Sequence, residues 1–83
     1  MKKTAYGSEI AKAIGKNLQR ARREKGYSQK QLAAMLGKYQ SDYSDYETGK
    51  VQLDYEKIVF ICKTLDVTPN DLFDNTIDRD CDI

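Results

Sequence analysis

SQKQLAAMLGKYQSDYSDYETGK, residues 28–50, is the stretch on which the fold turns. Ser28 is an N-cap residue, and Leu32, Ala33, Met35 and Leu36 behind it can line one inner face of a helix. Gly37 stops that helix after about two turns. Only Gly37 to Tyr39 separate it from a second run, QSDYSDYET, about 40–48, which ends at Gly49. The spacing predicts two short helices joined by a tight glycine-containing turn, so the second must bend away sharply from the first. Neither is long enough to be stable alone, and each needs a neighbour to bury its apolar side.

Those neighbours are found on both sides. Upstream, Ile10, Ile14, Leu18 and Ala21 recur at helical spacing and predict a first helix over about 9–25. Ser8 reads as its N-cap, Glu9 suits its positive end, and Gly26 is its stop. Downstream, Asp54 caps YEKIVFICKTL, whose Tyr55, Ile58, Val59, Ile61, Cys62 and Leu65 give a broad apolar face. Thr68-Pro69-Asn70-Asp71 is a helix start with the chain's single proline at the position where its missing N–H costs nothing. A short fifth helix, about 69–73, should set Leu72 and Phe73 on the core. No strand candidate competes, and the fold expected is an all-α, compact five-helix bundle. Residues 1–7 are expected as a flexible N-terminal tail, 8–73 as the folded domain, and 74–83 as an acidic C-terminal tail.

With 83 residues there is room for one domain only. At 40% hydrophobic and 33% charged, the composition is that of a small soluble domain rather than a disordered chain. The start shows no apolar signal core and no run reaches membrane-span length, which makes the cytoplasm the expected compartment. Histidine is absent, removing the usual general base; no nucleophile, base and orienting group occur together. Catalysis is therefore not expected. Nor is a metal or other cofactor, since Cys62 reads as a buried hydrophobe and Cys81 falls in the polar tail. Charge is unevenly spread: through residue 40 ten cations face two carboxylates, and from residue 41 four cations face eleven. Such a dipolar chain can hold a polyanion on one side or spend its charges on internal pairs.

Two short helices about a tight turn, with a longer helix on each side, are the layout of a DNA-binding helix-turn-helix. At about 100° per residue, Tyr43 and Tyr46 share one side of the third helix. Ser41, Ser44, Asp45 and Thr48 lie opposite, with Gln40 and Asp42 on the flanks. The two tyrosines are expected to face the core, their hydroxyls reaching water or a partner at its edge.

The run IGKNLQRARREKGYSQKQLAAMLG…YSDYETGK…ICKTLDVTPNDLF resembles the Cro and phage-repressor (Xre-like) helix-turn-helix family. Ile14, Leu18, Arg22 and Gly26 match its first helix, and Ser28-Gln29, Leu32-Ala33 and Gly37 match its second. Glu47 and Gly49-Lys50 match the end of its third helix; Leu65-Asp66-Val67-Thr68 and Leu72-Phe73 match its closing segment. The resemblance implies a lambda-repressor-like domain that binds double-stranded operator DNA as a homodimer, with the dimer surface near the fifth helix. It assigns Gln40 and Ser41 to leading base contacts, with Ser44 and Asp45 on the same outward face. Glutamine can pair bidentately with adenine, and a carboxylate can accept from cytosine N4. Gln29 is implied as a phosphate contact that also braces the first residue of the third helix, and Thr48 and Lys50 as part of a second phosphate clamp. Arg22 and Glu47 are implied as an ion pair that orients the reading helix.

Two features depart from the family pattern. Tyr39 stands where relatives have a capping Ser or Thr, so the cap could shift to Ser41, and Tyr39 could instead lie on the DNA. Asp45 in the middle of the outward face is either a specificity element or a sign that the face meets something other than DNA. The alternative is a protein-interaction module, antitoxin-like or adaptor, on the same scaffold.

Overall fold

The computed structural model describes residues 5–74, with side chains from residue 9 onward. Five helices follow in chain order: α1 (Ala5–Glu24), α2 (Gln29–Met35), α3 (Gln40–Thr48), α4 (Tyr55–Leu65) and α5 (Pro69–Phe73). No strand occurs among the described residues. α1 is the spine: it packs against α3 along one side and α5 along another, while α2 leans on α3 and α4 on α5. None of the helices is long and apolar enough to cross a membrane.

Local chemistry sets most of the boundaries. Ser28 and Gln31 form a reciprocal capping box at the start of α2, and Thr68 and Asp71 form another at the start of α5, with Pro69 behind it. The Asp54 carboxylate accepts the Lys57 N–H at 2.8 Å and caps α4. α3 starts at Gln40 with Tyr39 at its N-cap; no side chain caps it, and the cap does not move to Ser41. Tyr39 is 82% exposed.

α1 departs from expectation. It begins at Ala5, so Ser8 is inside the helix rather than its cap, and residues 5–7 are helical. Once a long helix is nucleated, each further residue adds a backbone hydrogen bond without a new nucleation cost, and that outweighs a weak capping signal. Residues 1–4 and the acidic segment from 75, including Cys81, lie outside the described residues.

Every helix contributes to one core. Leu18 of α1, Leu32 of α2, Tyr43 of α3, Ile61 and Leu65 of α4, and Leu72 of α5 are all completely buried or nearly so. Truncating a side chain at such a site costs about 2–5 kcal/mol. Three residues expected on inner faces point outward instead: Met35, Tyr55 and Val59 are 46%, 80% and 49% exposed. Their helices bury a narrower stripe than their apolar content suggests. Phe73 is half-buried beside Leu72. Cys62 is a buried free thiol whose pKa burial pushes up.

A polar residue closes the fold at its far end. Asn17, buried on α1, donates to the carbonyls of Leu72 at 2.8 Å and Asp74 at 2.6 Å, satisfying acceptors that the end of α5 leaves open.

Candidate nucleic-acid interface

α3 is placed by what lies behind it. Tyr43 and Tyr46 turn inward, at 0% and 6% exposure, with their rings edge to face at 6.2 Å between centroids. The Lys38 ammonium, from the turn before the helix, sits 6.0 Å from the centre of the Tyr46 ring. At the other end Gly49 adopts a left-handed φ of 84°, and the N–H of Val51 returns to the Asp45 carbonyl.

The last turn of α3 meets α1 almost backbone to backbone. A Cβ on Gly15 would lie 2.3 Å from the carbonyl oxygen of Glu47, so no larger residue fits at this crossing. Gly49 is held nearly as closely, with the backbone and Cγ of Lys12 against it.

Between these contacts lies a buried polar hub centred on Glu47. Its Oε2 accepts from Arg22 Nε at 2.6 Å and from the Tyr43 hydroxyl at 2.6 Å. Its Oε1 accepts from Gln29 Nε2 at 2.8 Å, Arg22 Nη2 at 3.3 Å and Gln19 Nε2 at 3.4 Å. Arg22 also donates through Nη1 to the Tyr27 carbonyl at 2.7 Å, anchoring the α1–α2 turn. Burial by itself would raise the Glu47 pKa, but the hydrogen bonds from Arg22, Tyr43 and Gln29 outweigh it and hold the carboxyl below its usual range. The bond to Glu47 raises Arg22 in turn. Burial, reinforced by the bond to the Glu47 carboxylate, pushes the Tyr43 phenol far above its ordinary value. The side chains of Arg22 and Glu47 are only 8% and 1% exposed, and every buried polar side-chain atom among the described residues has a partner.

This hub revises one expectation. The Tyr43 hydroxyl reaches neither water nor a partner molecule; it is spent on Glu47 one helical turn away. Gln19 was also missed, although it lies three residues before Arg22 on the same face of α1, a spacing that could have drawn attention to it.

The outward side of α3 is different. Gln40, Ser41, Asp42 and Thr48 are exposed, and Ser44 and Asp45 are half-buried. Gln29 is also half-buried; besides donating to Glu47 it accepts a long hydrogen bond of 3.4 Å from Gln40, so α2 and the first residue of α3 touch directly. The Thr48 hydroxyl is turned back to the Asp45 carbonyl at 3.3 Å, and Lys50 follows it, exposed.

A short helix, a sharp turn and a second helix that buries one side and presents a polar strip on the other define a helix-turn-helix. The chain belongs to the helix-turn-helix domain family, of the Xre-like kind, and matches that family over residues 15–76. It is also similar to the SPbeta prophage-derived uncharacterized HTH-type transcriptional regulator YonR of Bacillus subtilis (strain 168), with 34% identity over 63 residues. That alignment takes in 76% of this chain, which spans 58% of the relative's length.

Proposed function

We propose that this domain is a sequence-specific regulator that binds double-stranded DNA and acts by binding rather than by catalysis, in the cytoplasm. One observation carries the reading: α3 buries Tyr43, Tyr46 and Glu47 and leaves a polar strip on its other side. In this reading α3 enters the major groove, with Gln40, Ser41, Ser44 and Asp45 toward base edges. Gln29 at the start of α2 and Thr48 and Lys50 at the end of α3 take the phosphates on either side. For Thr48 to donate to a phosphate, its hydroxyl must leave the Asp45 carbonyl. The Arg22–Glu47 pair contributes by fixing the angle at which α3 leaves the domain.

One such helix reads only a few base pairs. A homodimer on a pseudo-palindrome, with half-sites a helical turn apart, supplies the remaining specificity. The similarity to a protein named as a transcriptional regulator supports the same reading. A protein-interaction role on this scaffold draws on a separate observation, the exposed Tyr55, Val59 and Phe60 on α4.

Selection of bound sequences from a random duplex pool separates the two. The expected result is enrichment of a two-fold-related motif, relaxed at one position in Gln40→Ala by about 1–3 kcal/mol of discrimination. Recovery of the pool unenriched would overturn the reading in favour of a protein partner.

A further inference from the structure

The fold sorts the cations into groups that the sequence leaves mixed. Arg22 is consumed by Glu47, Lys57 pairs with Asp54 at 3.0 Å, and Lys38 lies by the Tyr46 ring. Lys25 borders a depression shared with Asp66, Asp71 and Asp74, on the α5 side of the spine. Lys30 is exposed on α2, and on α1, apart from Arg20, there remain Lys12, Lys16 and Arg23, all exposed and all without an ion pair among the described residues.

These three share an edge. Gly15 marks the direction in which α1 meets α3, because its Cα faces the Glu47 carbonyl. At about 100° per residue, Gln19, Lys12, Arg23 and Lys16 follow one another within roughly a quarter-turn to one side of Gly15. Leu18, Ala21 and Asn17 lie to the other side, toward the core and α5. Gln19 shows what the cationic edge adjoins. It donates to the same Glu47 oxygen as Gln29, and Gln29 accepts from Gln40 at the start of the outward strip. Lys12 completes the alignment at the opposite end by packing on Gly49, next to Lys50. The edge therefore runs beside α3, from the Gly49–Lys50 turn toward the start of α2. From Lys12 to Arg23 it is about 16 Å long at 1.5 Å per residue, the axial length of about five phosphates on one strand.

We propose that this edge of α1 is a third phosphate grip, in which Lys12, Lys16 and Arg23 follow the sugar–phosphate backbone beside the groove that α3 enters. The inference rests on the DNA-binding reading and adds contacts from a helix outside the helix-turn-helix itself. Arg20, farther round the helix, borders both this edge and the acidic depression and is not part of the grip.

The test is the salt dependence of full-chain binding to a short fluorescein-labelled duplex of unselected sequence, followed by anisotropy. Each phosphate contact contributes about 0.9 to the log–log slope. Lys16→Gln with Arg23→Gln should lower the slope by about 1.8, and Lys12→Gln by a further 0.9 or so. A control pair with the same change in charge, Lys25→Gln with Lys63→Gln, should leave the slope within about 0.5 of the parent, because only net charge changes. The charge-keeping pair Lys16→Arg with Arg23→Lys should hold the parent slope. Equal slopes for the edge pair and the control pair, with the parent binding in a salt-dependent manner, would overturn the grip and leave the DNA-binding reading standing. An unmutated chain that shows no salt-dependent duplex binding would overturn both.

Discussion

The two sides of α3 spend the same kinds of residue in opposite ways. On the inner side, Tyr43 and Glu47 give up their polar atoms to each other, to Arg22 and to two half-buried glutamines. On the outer side, Ser41, Ser44 and Asp45 keep side chains for which no internal partner is found among the described residues, while the Asp45 main-chain carbonyl is taken by Thr48 and Val51. A nine-residue helix thus separates what holds it from what it offers. The lesson is that polarity alone does not mark a recognition surface; what marks it is polarity left unused by the fold.

The largest expected effect breaks the inner side. Glu47→Ala leaves the Arg22 guanidinium buried without its carboxylate and removes the acceptor for Tyr43, Gln19 and Gln29. Loss of one partner from a buried pair costs about 3–5 kcal/mol, a large share of the 5–15 kcal/mol that stabilises a typical domain. Urea denaturation should show the midpoint falling by a corresponding amount. A loss below about 1 kcal/mol would mean that the hub is as dispensable as an exposed ion pair.

A smaller effect sharpens the comparison, because it can be read through pH. Tyr43→Phe keeps the ring and removes one donor to a charged acceptor, worth about 1.5–3 kcal/mol near neutral pH. The folded phenol has a raised pKa, so its contribution is complete below the unfolded value of about 10 and is lost as pH climbs above it. Glu47 acts in the opposite sense: its folded pKa is lowered, so its contribution is present above the ordinary carboxylate range and is lost as pH falls through the lowered value. The parent should therefore lose stability on both flanks. In Tyr43→Phe the alkaline loss above pH 10 should shrink while the acid loss persists. An unchanged alkaline limb would show that Tyr43 is not the group responsible.

How far these two sides could be read beforehand differs for a physical reason. The starts of α2, α4 and α5 follow from caps, so Ser28, Asp54, Thr68 and Pro69 announced them, and Gly37 announced the end of α2. The inward turn of Tyr43 and Tyr46 followed from helical periodicity. Gln19 in the hub, the Gly15 crossing and the Asn17 clamp on α5 depend on where another helix passes, and no local pattern encodes that. Tyr55 and Val59 misled for the converse reason: a wide apolar stripe shows what a helix could bury, not how much of it the neighbours reach. Gln40, Ser41, Ser44 and Asp45 were legible as an outward strip, while what that strip meets belongs to a molecule that the fold does not specify.

The smallest effect on the fold is expected where the effect on recognition is greatest. Ser44→Ala and Asp45→Ala remove side chains that brace nothing inside the domain. The Asp45 carbonyl, which does take two hydrogen bonds, belongs to the main chain and survives both changes. Surface substitutions of this sort stay within about 0.5 kcal/mol of the parent. Asp45→Ala removes the one acidic group in the middle of the outward strip. If that carboxylate accepts from a cytosine amino group, the variant should lose about 1–3 kcal/mol of discrimination at a single base pair, with unspecific duplex affinity held or raised because a negative charge has left the interface. Thermal melting and binding to single-base variants of the selected duplex, measured on the same preparation, give the two quantities together. Discrimination that survives intact would place Asp45 off the reading surface, and a melting point that falls with it would mean that the two sides of α3 are not separable after all.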